Sequence, residues 1–164
     1  MGDTKENLAS AFAGESQANR RYLAFAKKAV EDGLPNLAKL FKAAAAAETI
    51  HAHNHLRVMG GVGSTAENVQ EAISGETFEF KEMYPGFLAT AKEAGESKAS
   101  WSFDMALQVE KVHAALYEGA LAAVNAGKDL ETEKFWVCKV CGNTFENEHP
   151  AKCPVCNATE FKEI

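Results

Sequence analysis

Two copies of a Glu-x-x-His pair, each within a segment of helical periodicity, limit the possible folds of this 164-residue chain more than any other pattern. The pairs are Glu48 with His51 and Glu110 with His113. A spacing of three residues places both side chains on one helical face, one turn apart. Two such helices, together with a Glu from each of two further helices, supply the ligands of a carboxylate-bridged two-metal site in a four-helix bundle. The pairs therefore predict an all-α four-helix bundle around two metal ions.

Four helical regions follow from the apolar periodicity, and their predicted ranges are 4–31, 35–59, 64–95 and 98–126. Asp3 and Glu6 resemble a capping box, and Pro35 suits the first turn of the second helix. Gly75 and Pro85 are expected to split or bend the third region. Short connections make an antiparallel bundle the expected arrangement. The Glu-x-x-His pairs lie 62 residues apart, which suggests two similar helix pairs.

Charged residues on the apolar faces of these helices are the candidate metal ligands. Glu15, Glu48, His51 and Glu110 lie on such faces, where a charge is costly unless it is paired or bound to metal. The third helix offers Glu76, Glu79 and Glu82, and periodicity does not choose among them. With His113, these carboxylates and imidazoles suit iron or manganese.

Other histidines and a third Glu-x-x-His match carry less weight. The match at Glu146 and His149 lies between the cysteine pairs, outside any periodic helix, and we interpret it as chance. His53 and His55 are interpreted as structural residues. The functional interpretation of the other two pairs rests on the joint occurrence of ligand-type residues on four separate helices.

All four cysteines lie in the last 27 residues, in two Cys-x-x-Cys pairs. These pairs predict one tetrahedral metal site, with the ligands Cys138, Cys141, Cys153 and Cys156. Gly142 and Asn157 follow the pairs, and both tolerate the left-handed conformation that such a metal loop needs. The donor set alone leaves zinc and iron open. A segment of this size needs its metal in order to fold. The predicted domains are a bundle at 1–128, a linker at 129–134 and a β-type metal domain at 135–164.

Charge and hydropathy exclude several classes of partner. The net charge of −6 argues against nucleic acid and anionic membranes. The longest apolar run, 43–47, is too short to cross a membrane, and the first residues lack the layout of a signal peptide. We therefore expect a cytoplasmic protein.

Several motifs together resemble the rubrerythrin family over essentially the whole chain. The first helix has GESQA at 14–18 followed by Arg21-Tyr22, and the third has GETFEF at 75–80 followed by MYP at 83–85. The tail has CKVCG at 138–142 and CPVC at 153–156. The resemblance implies a ferritin-like bundle with a rubredoxin-like domain, holding a di-iron centre and one iron in the tetrathiolate site. Departures are mild: the order Asn19-Arg20-Arg21, and Asn157 where such loops usually carry Gly.

The resemblance also assigns roles to individual residues. It selects Glu76 and Glu79 over Glu82 as ligands, and it favours iron over zinc at the cysteines. It implies that one iron is bound by His51 in the reduced state and by Glu79 in the oxidised state. Tyr22 and Tyr84 match tyrosines that hydrogen-bond carboxylates near the metals. The implied catalytic residues are Glu79, His51, Tyr22 and Tyr84.

The activity implied by the resemblance is a peroxidase that reduces hydrogen peroxide to water and protects against oxidative stress. Electrons would pass through the tetrathiolate iron from a reductase or small redox protein that is linked to NAD(P)H. His113 to Gly127 is 14 residues, or about 21 Å of helix at about 1.5 Å per residue. We therefore expect the cysteine site to lie far from its own di-iron site, and a head-to-tail homodimer to transfer electrons between chains. The rival predictions are a ferroxidase and a zinc-ribbon interaction module.

Overall fold

The computed structural model describes residues 2–164 and contains five α-helices, one π-helical segment and three short strands. The helices are α1 (Thr4–Glu31), α2 (Pro35–Val58), α3 (Thr65–Phe78), α4 (Tyr84–Glu93) and α5 (Ser97–Asn125), with the π-helical segment Glu79–Met83 between α3 and α4. The strands are β1 (Phe135–Cys138), β2 (Thr144–Glu146) and β3 (Phe161–Glu163). The chain forms two compact units that meet in sequence at Gly63 and Ser64. Four long helical regions followed by a small β domain confirm the predicted fold class.

The helix ends lie close to their predicted positions because the capping residues act as expected. Asp3 and Glu6 form a reciprocal capping box at the start of α1, with N–H to carboxylate distances of 2.9 and 3.0 Å. Gly33 turns the chain with a φ of +73°, and Pro35 opens α2. Ser64 and Glu67 form a second capping box before α3. These four short-range signals fix where the helices of each unit begin and turn.

In the first unit, α1 and α2 pack through small side chains. Ala26, Ala29 and Ala38 form the buried cluster, and Phe41 packs against it. Asn19 is buried beside this contact, and its side-chain amide donates to the Ala45 carbonyl at 2.6 Å and to Thr49 Oγ1 at 2.8 Å. Asn19 therefore holds α1 against α2 one turn before the Glu48 pair begins.

In the second unit, the long helical region continues through Gly75 and changes its winding before Pro85. The expected break at Gly75 is therefore wrong, whereas Pro85 does perturb the helix. Proline has no N–H and its ring clashes with the carbonyl four residues earlier. Within the π-helical segment the Tyr84 N–H instead reaches the Glu79 carbonyl, five residues back. The wider turn accommodates the proline without ending the helix.

The small β domain is an antiparallel sheet with strand order β2-β1-β3. Trp136 of β1 pairs with Phe145 of β2, and Val137 pairs with Lys162 of β3. The His149 ring stacks on Phe161 with centroids 4.2 Å apart and meets the Trp136 ring at 4.5 Å. His149, predicted to have no metal role, thus belongs to the aromatic packing of this domain.

The β domain lies beside α5 rather than beyond its end, so the sequence-based expectation of a distant cysteine site is wrong. Thr144 of β2 lies 3.0 Å from the imidazole of His113 in the same chain. The expectation neglected the reach of the linker. Residues 126–134 can span about 30 Å when extended at about 3.3 Å each, more than the helix length back to His113. Among the described residues, no helix is both long and apolar enough to cross a membrane.

Candidate metal centres

The first candidate group lies on α1 and α2. Glu15 comes from α1, and Glu48 and His51 come from successive turns of α2. One ligand atom from each lies within 4.8 Å of the others, and His51 Nδ1 is 2.8 Å from Glu48 Oε2. The His51 side chain is 54% exposed, whereas the Glu48 side chain is 18% exposed. This group therefore offers two carboxylates and one imidazole that is free to move.

The second candidate group lies on α3 and α5 and has the same composition. Glu76, Glu110 and His113 again place one ligand atom each within 4.8 Å. His113 Nδ1 is 2.7 Å from Glu110 Oε2 and 3.9 Å from Glu76 Oε1. The His113 side chain is 27% exposed, half the value for His51. Each unit thus carries one Glu, Glu, His group, as the two similar helix pairs in the sequence suggested.

Burial and mutual repulsion shape the protonation of the second group. Desolvation raises the pKa of Glu76 to about 7, and the charge of Glu110 adds to the effect. The hydrogen bond to Glu110 raises the pKa of His113 above its ordinary value. Carboxylates held this close favour a bound proton or a cation between them. The group is therefore suited to a metal ion, which would take the place of the shared protons.

Glu79 lies at the start of the π-helical segment, just outside the second group. Burial raises its pKa, and so does the charge of Glu110. Glu79 is half-buried, whereas Glu82, one turn further on, is exposed. The structure therefore places Glu79 near the group and Glu82 in solvent, which supports the choice that the resemblance made; the ligand role of Glu79 stays a prediction.

Both predicted tyrosines lie in matching aromatic clusters. The Tyr22 ring is 6.3 Å from both Phe25 and Phe41. The Tyr84 ring lies 6.3 Å from Phe87 and 6.4 Å from Phe103. Burial raises the pKa of Tyr84, and the charges of Glu79, Glu110 and Glu76 raise it further, so its phenol is close to the carboxylates. Hydrogen bonding from these phenols to metal-bound carboxylates stays a prediction.

The four cysteines form the third candidate site. Cys138 and Cys156 have their sulfurs 3.5 Å apart, and Cys141 and Cys153 have theirs 3.6 Å apart. A disulfide needs about 2.05 Å, whereas sulfurs at the corners of a tetrahedron with bonds of about 2.3 Å lie about 3.8 Å apart. All four thiols are free. The spacing fits one tetrahedral metal ion, as the sequence predicted.

The loops after each cysteine pair present backbone N–H groups to the sulfurs. Gly142 and Asn157 adopt φ values of +85° and +62°, which confirms the left-handed conformations expected there. Burial alone would raise the pKa of Cys138, but hydrogen bonds from the N–H groups of Cys141 and Val140 lower it to about 7. Such loops stabilise the thiolates that bind a metal ion.

These three groups are the clusters that could hold a metal ion within residues 2–164. His53 and His55 belong to none of these groups. Two carboxylate–imidazole groups suit two iron ions, and four thiolates suit a third. The residues present fit a di-iron centre and a tetrathiolate iron.

Sequence reasoning missed two polar residues that support these groups. Asn19 was noted only as a departure in residue order, and Thr144 was not singled out. Asn19 lies on α1 and hydrogen-bonds to α2, and Thr144 lies on β2 and hydrogen-bonds to His113 of α5. No local sequence pattern indicates a hydrogen bond between two separate elements.

Comparison with known proteins gives a consistent result over the whole chain. Residues 6–121 match the model of the rubrerythrin family, and residues 136–162 match that of the rubredoxin-like domain of rubrerythrin. Rubrerythrin-2 of Clostridium acetobutylicum is 40% identical, over 97% of this chain and 94% of its own. Nigerythrin of Nitratidesulfovibrio vulgaris is 37% identical, over 95% of this chain and 83% of its own. A structure of fully reduced, all-ferrous nigerythrin is 35% identical, with a TM-score of 0.58 over 100% of this chain and 88% of that one.

Proposed function

The chain belongs to the rubrerythrin family, and on that premise we propose that it is a peroxidase that reduces hydrogen peroxide to two molecules of water. The observation that carries the proposal is the presence, on one chain, of two carboxylate–histidine groups and a four-cysteine site. The first two groups suit iron that reacts with an oxidant, and the third suits iron that supplies single electrons. A purely structural zinc protein would not need half-buried carboxylates of this kind.

The protein residues have separable tasks in this reaction. Two ferrous ions, when bound, would each supply one electron, and two protons complete the conversion of one peroxide molecule to two waters. Glu76 would be a ligand in this state, and the bound ion would take the place of the proton that its raised pKa favours in the metal-free protein. The half-buried Tyr84 phenol, close to the same carboxylates, is the proton donor that these residues offer.

Differences between the two groups support the exchange of His51 for Glu79 that was predicted for one iron. The His51 ring is 54% exposed and can move away without leaving a cavity in a packed core. The half-buried Glu79 lies beside the charge of Glu110 and is costly to ionise there unless a cation is added. A more positive, ferric pair would favour the extra carboxylate.

The proposal includes electron-donating partners. A reductase or small redox protein linked to NAD(P)H would reduce the tetrathiolate iron, and protection of the cytoplasm from peroxide would be the physiological role. The head-to-tail homodimer with transfer between chains stays a prediction. The contact between His113 and Thr144 offers a competing route within one chain.

The first experiment is metal analysis and visible spectroscopy of anaerobically purified protein, followed by addition of peroxide to the reduced form. About three irons per chain, a ferric-thiolate colour and rapid reoxidation by peroxide are expected. Zinc at the cysteines would contradict the electron-transfer role. A reduced protein that ignores peroxide and consumes oxygen with excess iron would indicate a ferroxidase instead.

A matched pair of variants tests the extra carboxylate. Glu79→Gln removes the half-buried charge, and Glu82→Gln removes an exposed charge one turn away. We expect the first to slow peroxide-driven oxidation of the reduced protein by about tenfold or more, the loss typical of altered metal surroundings, and the second to leave it unchanged. Equal rates in both variants would remove Glu79 from the proposal.

A further inference from the structure

Thr144 stands between the second carboxylate–histidine group and the cysteine site of the same chain. Its Oγ1 lies 3.0 Å from His113 Nε2 and 3.1 Å from the carbonyl oxygen of Gly142. Gly142 directly follows the predicted ligand Cys141, and His113 Nδ1 points towards Glu110 at 2.7 Å. Two hydrogen bonds, the backbone of Gly142 and the Cys141 residue therefore join a predicted sulfur ligand of one centre to the predicted imidazole ligand of the other.

The direction of these hydrogen bonds follows from the groups involved. A carbonyl oxygen can only accept, so the Thr144 hydroxyl donates its single proton to Gly142. The same hydroxyl can then only accept from His113, and Nε2 must carry the hydrogen. In the metal-free protein a hydrogen lies between Nδ1 and the Glu110 carboxylate, 2.7 Å away. When a metal ion takes the place of that hydrogen, the imidazole is neutral, and with Nε2 carrying hydrogen its Nδ1 lone pair faces the metal beside Glu110 and Glu76.

The side chains around the hydrogen bond between His113 and Thr144 limit the access of water to it. A cleft of about 450 Å³ beside it is lined by Glu76, His113, Thr144 and Glu146 and otherwise by mostly apolar side chains such as Leu116 and Phe135. Apolar walls strengthen a hydrogen bond and disfavour competing water. His113 is half as exposed as His51, so the anchored imidazole is the one that faces the β domain.

We propose that Thr144 is a positioning residue that orients His113 for its metal ion and connects the cysteine site to the carboxylate–histidine group within one chain. The four cysteines would hold an iron ion that can give up one electron, and His113 would hold one that can accept it, so the Thr144 hydroxyl and the Gly142 carbonyl would lie between donor and acceptor. No bond is made or broken in this step. The electron-transfer part rests on the proposed function, whereas the orientation of His113 does not.

The orientation is tested on protein prepared without metal. Nitrogen-15 NMR of the imidazoles, assigned with His113→Gln, reports which ring nitrogen carries hydrogen and how fast that hydrogen exchanges with water. Wild type and Thr144→Ser, which keeps the hydroxyl, should show a slowly exchanging hydrogen on Nε2 of His113. Thr144→Val, which keeps the shape but removes the hydroxyl, should lose that protection. An unchanged His113 signal in Thr144→Val would overturn the orientation.

The connection is tested on iron-loaded protein in a single turnover. After peroxide oxidises the fully reduced protein, the visible spectrum follows the transfer of the electron from the tetrathiolate iron. Thr144→Val should slow this phase by about tenfold or more, as loss of a supporting hydrogen bond does at metal sites, and Thr144→Ser should restore it. Thr90→Val removes an exposed hydroxyl with a similar bond to a carbonyl and is the control.

Each outcome separates this inference from the proposed function. If peroxide fails to oxidise the reduced wild type, the peroxidase proposal fails while the NMR result still decides the orientation. If peroxide acts but Thr144→Val transfers its electron as fast as Thr90→Val, the connection through Thr144 is overturned. A loss in Thr144→Ser as large as that in Thr144→Val would also overturn it.

Discussion

Proton binding by single residues makes the stability of the metal-free protein depend on pH. Burial and Glu110 raise the pKa of Glu76 from 4.5 to about 7, so the folded protein binds a proton more tightly than the unfolded chain does. The pKa of His113 is also raised by its bond to Glu110. Both groups stabilise the fold at low pH and lose that contribution as pH rises through their folded pKa values.

We therefore expect the melting temperature of metal-free protein to fall as pH rises from about 5 to about 8. Glu76→Gln should flatten this fall, because the amide cannot ionise. Calorimetry across the pH range measures the slope, with the exposed Glu82→Gln as control. A slope in Glu76→Gln equal to that of Glu82→Gln would show that Glu76 titrates as an ordinary surface carboxylate.

The sequence indicates the candidate ligands more directly than it indicates the residues that hydrogen-bond to them. Glu48, His51, Glu110 and His113 are recognisable because their spacing is local and a charge on an apolar face is costly. Thr144 is 31 residues from His113 and joins it only after the linker folds back. The periodicity of apolar residues indicates which face of one helix or strand is buried. It does not indicate a hydrogen bond between two elements that are distant in sequence, such as α5 and β2.

At the scale of elements, the π-helical segment allows Glu76 and Tyr84 to occupy positions in the second unit that correspond to those of Glu15 and Tyr22 in the first. Glu15 and Tyr22 are seven residues apart in α1, whereas Glu76 and Tyr84 are eight residues apart in the second unit. A π-helical turn takes up one additional residue. Tyr84 consequently meets Phe87 and Phe103 as Tyr22 meets Phe25 and Phe41, with the five residues from Glu79 to Met83 absorbing the difference.

Deletion of Lys81, an exposed residue of the π-helical segment, combined with Pro85→Ala, which removes the ring that the wider turn accommodates, should therefore restore α-helical winding and be tolerated. We expect a melting temperature within a few degrees of wild type and slower peroxide-driven oxidation, since Glu79 changes its position. Deletion of the exposed Gln17 from α1, which has no additional residue to lose, should rotate Glu15 and buried Asn19 out of register and destabilise the fold strongly. Equal melting temperatures for the two deletions would contradict this role of the segment.

The β domain depends on its metal for stability, because its three short strands enclose few buried side chains. Among the described residues of this domain, only Cys138, Asn143 and Cys153 are buried. Binding of a structural metal contributes on the order of 10 kcal/mol in small cysteine-ligated domains. Loss of the metal should therefore unfold this domain and leave the helices in place.

Fluorescence of Trp136, measured in a Trp101→Phe background, reports on the β domain alone. In the folded domain, the indole packs against His149 and donates to the Asn147 carbonyl at 3.0 Å. Cys153→Ser should shift the emission of Trp136 to longer wavelength, while the helical circular dichroism signal stays nearly unchanged. A matched Ser102→Ala variant on α5 should change neither signal. Retention of the native emission in Cys153→Ser would show that the domain folds without its metal.

At the scale of the whole molecule, the path of the linker after α5 determines which carboxylate–histidine group lies next to the cysteine site. Residues 126–134 form no helix or strand, and they return the chain along α5 so that β2 reaches His113. The length and charge of this linker are evident from the sequence. The path that it takes after α5 is not, because its residues carry no periodic pattern. A linker that continued outward would have required a second chain to bring the two kinds of centre together.

Mixed dimers distinguish these two arrangements. One chain carries Cys138→Ser and Cys153→Ser, the other carries Glu110→Ala and His113→Ala, and two different affinity tags select the pair. If Thr144 connects the centres within one chain, every intact cysteine site in the mixed dimer faces a defective ligand group, and no peroxide turnover is expected. Turnover would mean that electrons cross between chains, as the sequence first predicted. Pairing each defective chain with wild type is the control, since about half of the wild-type turnover there shows that the defective chains assemble without disabling their partners.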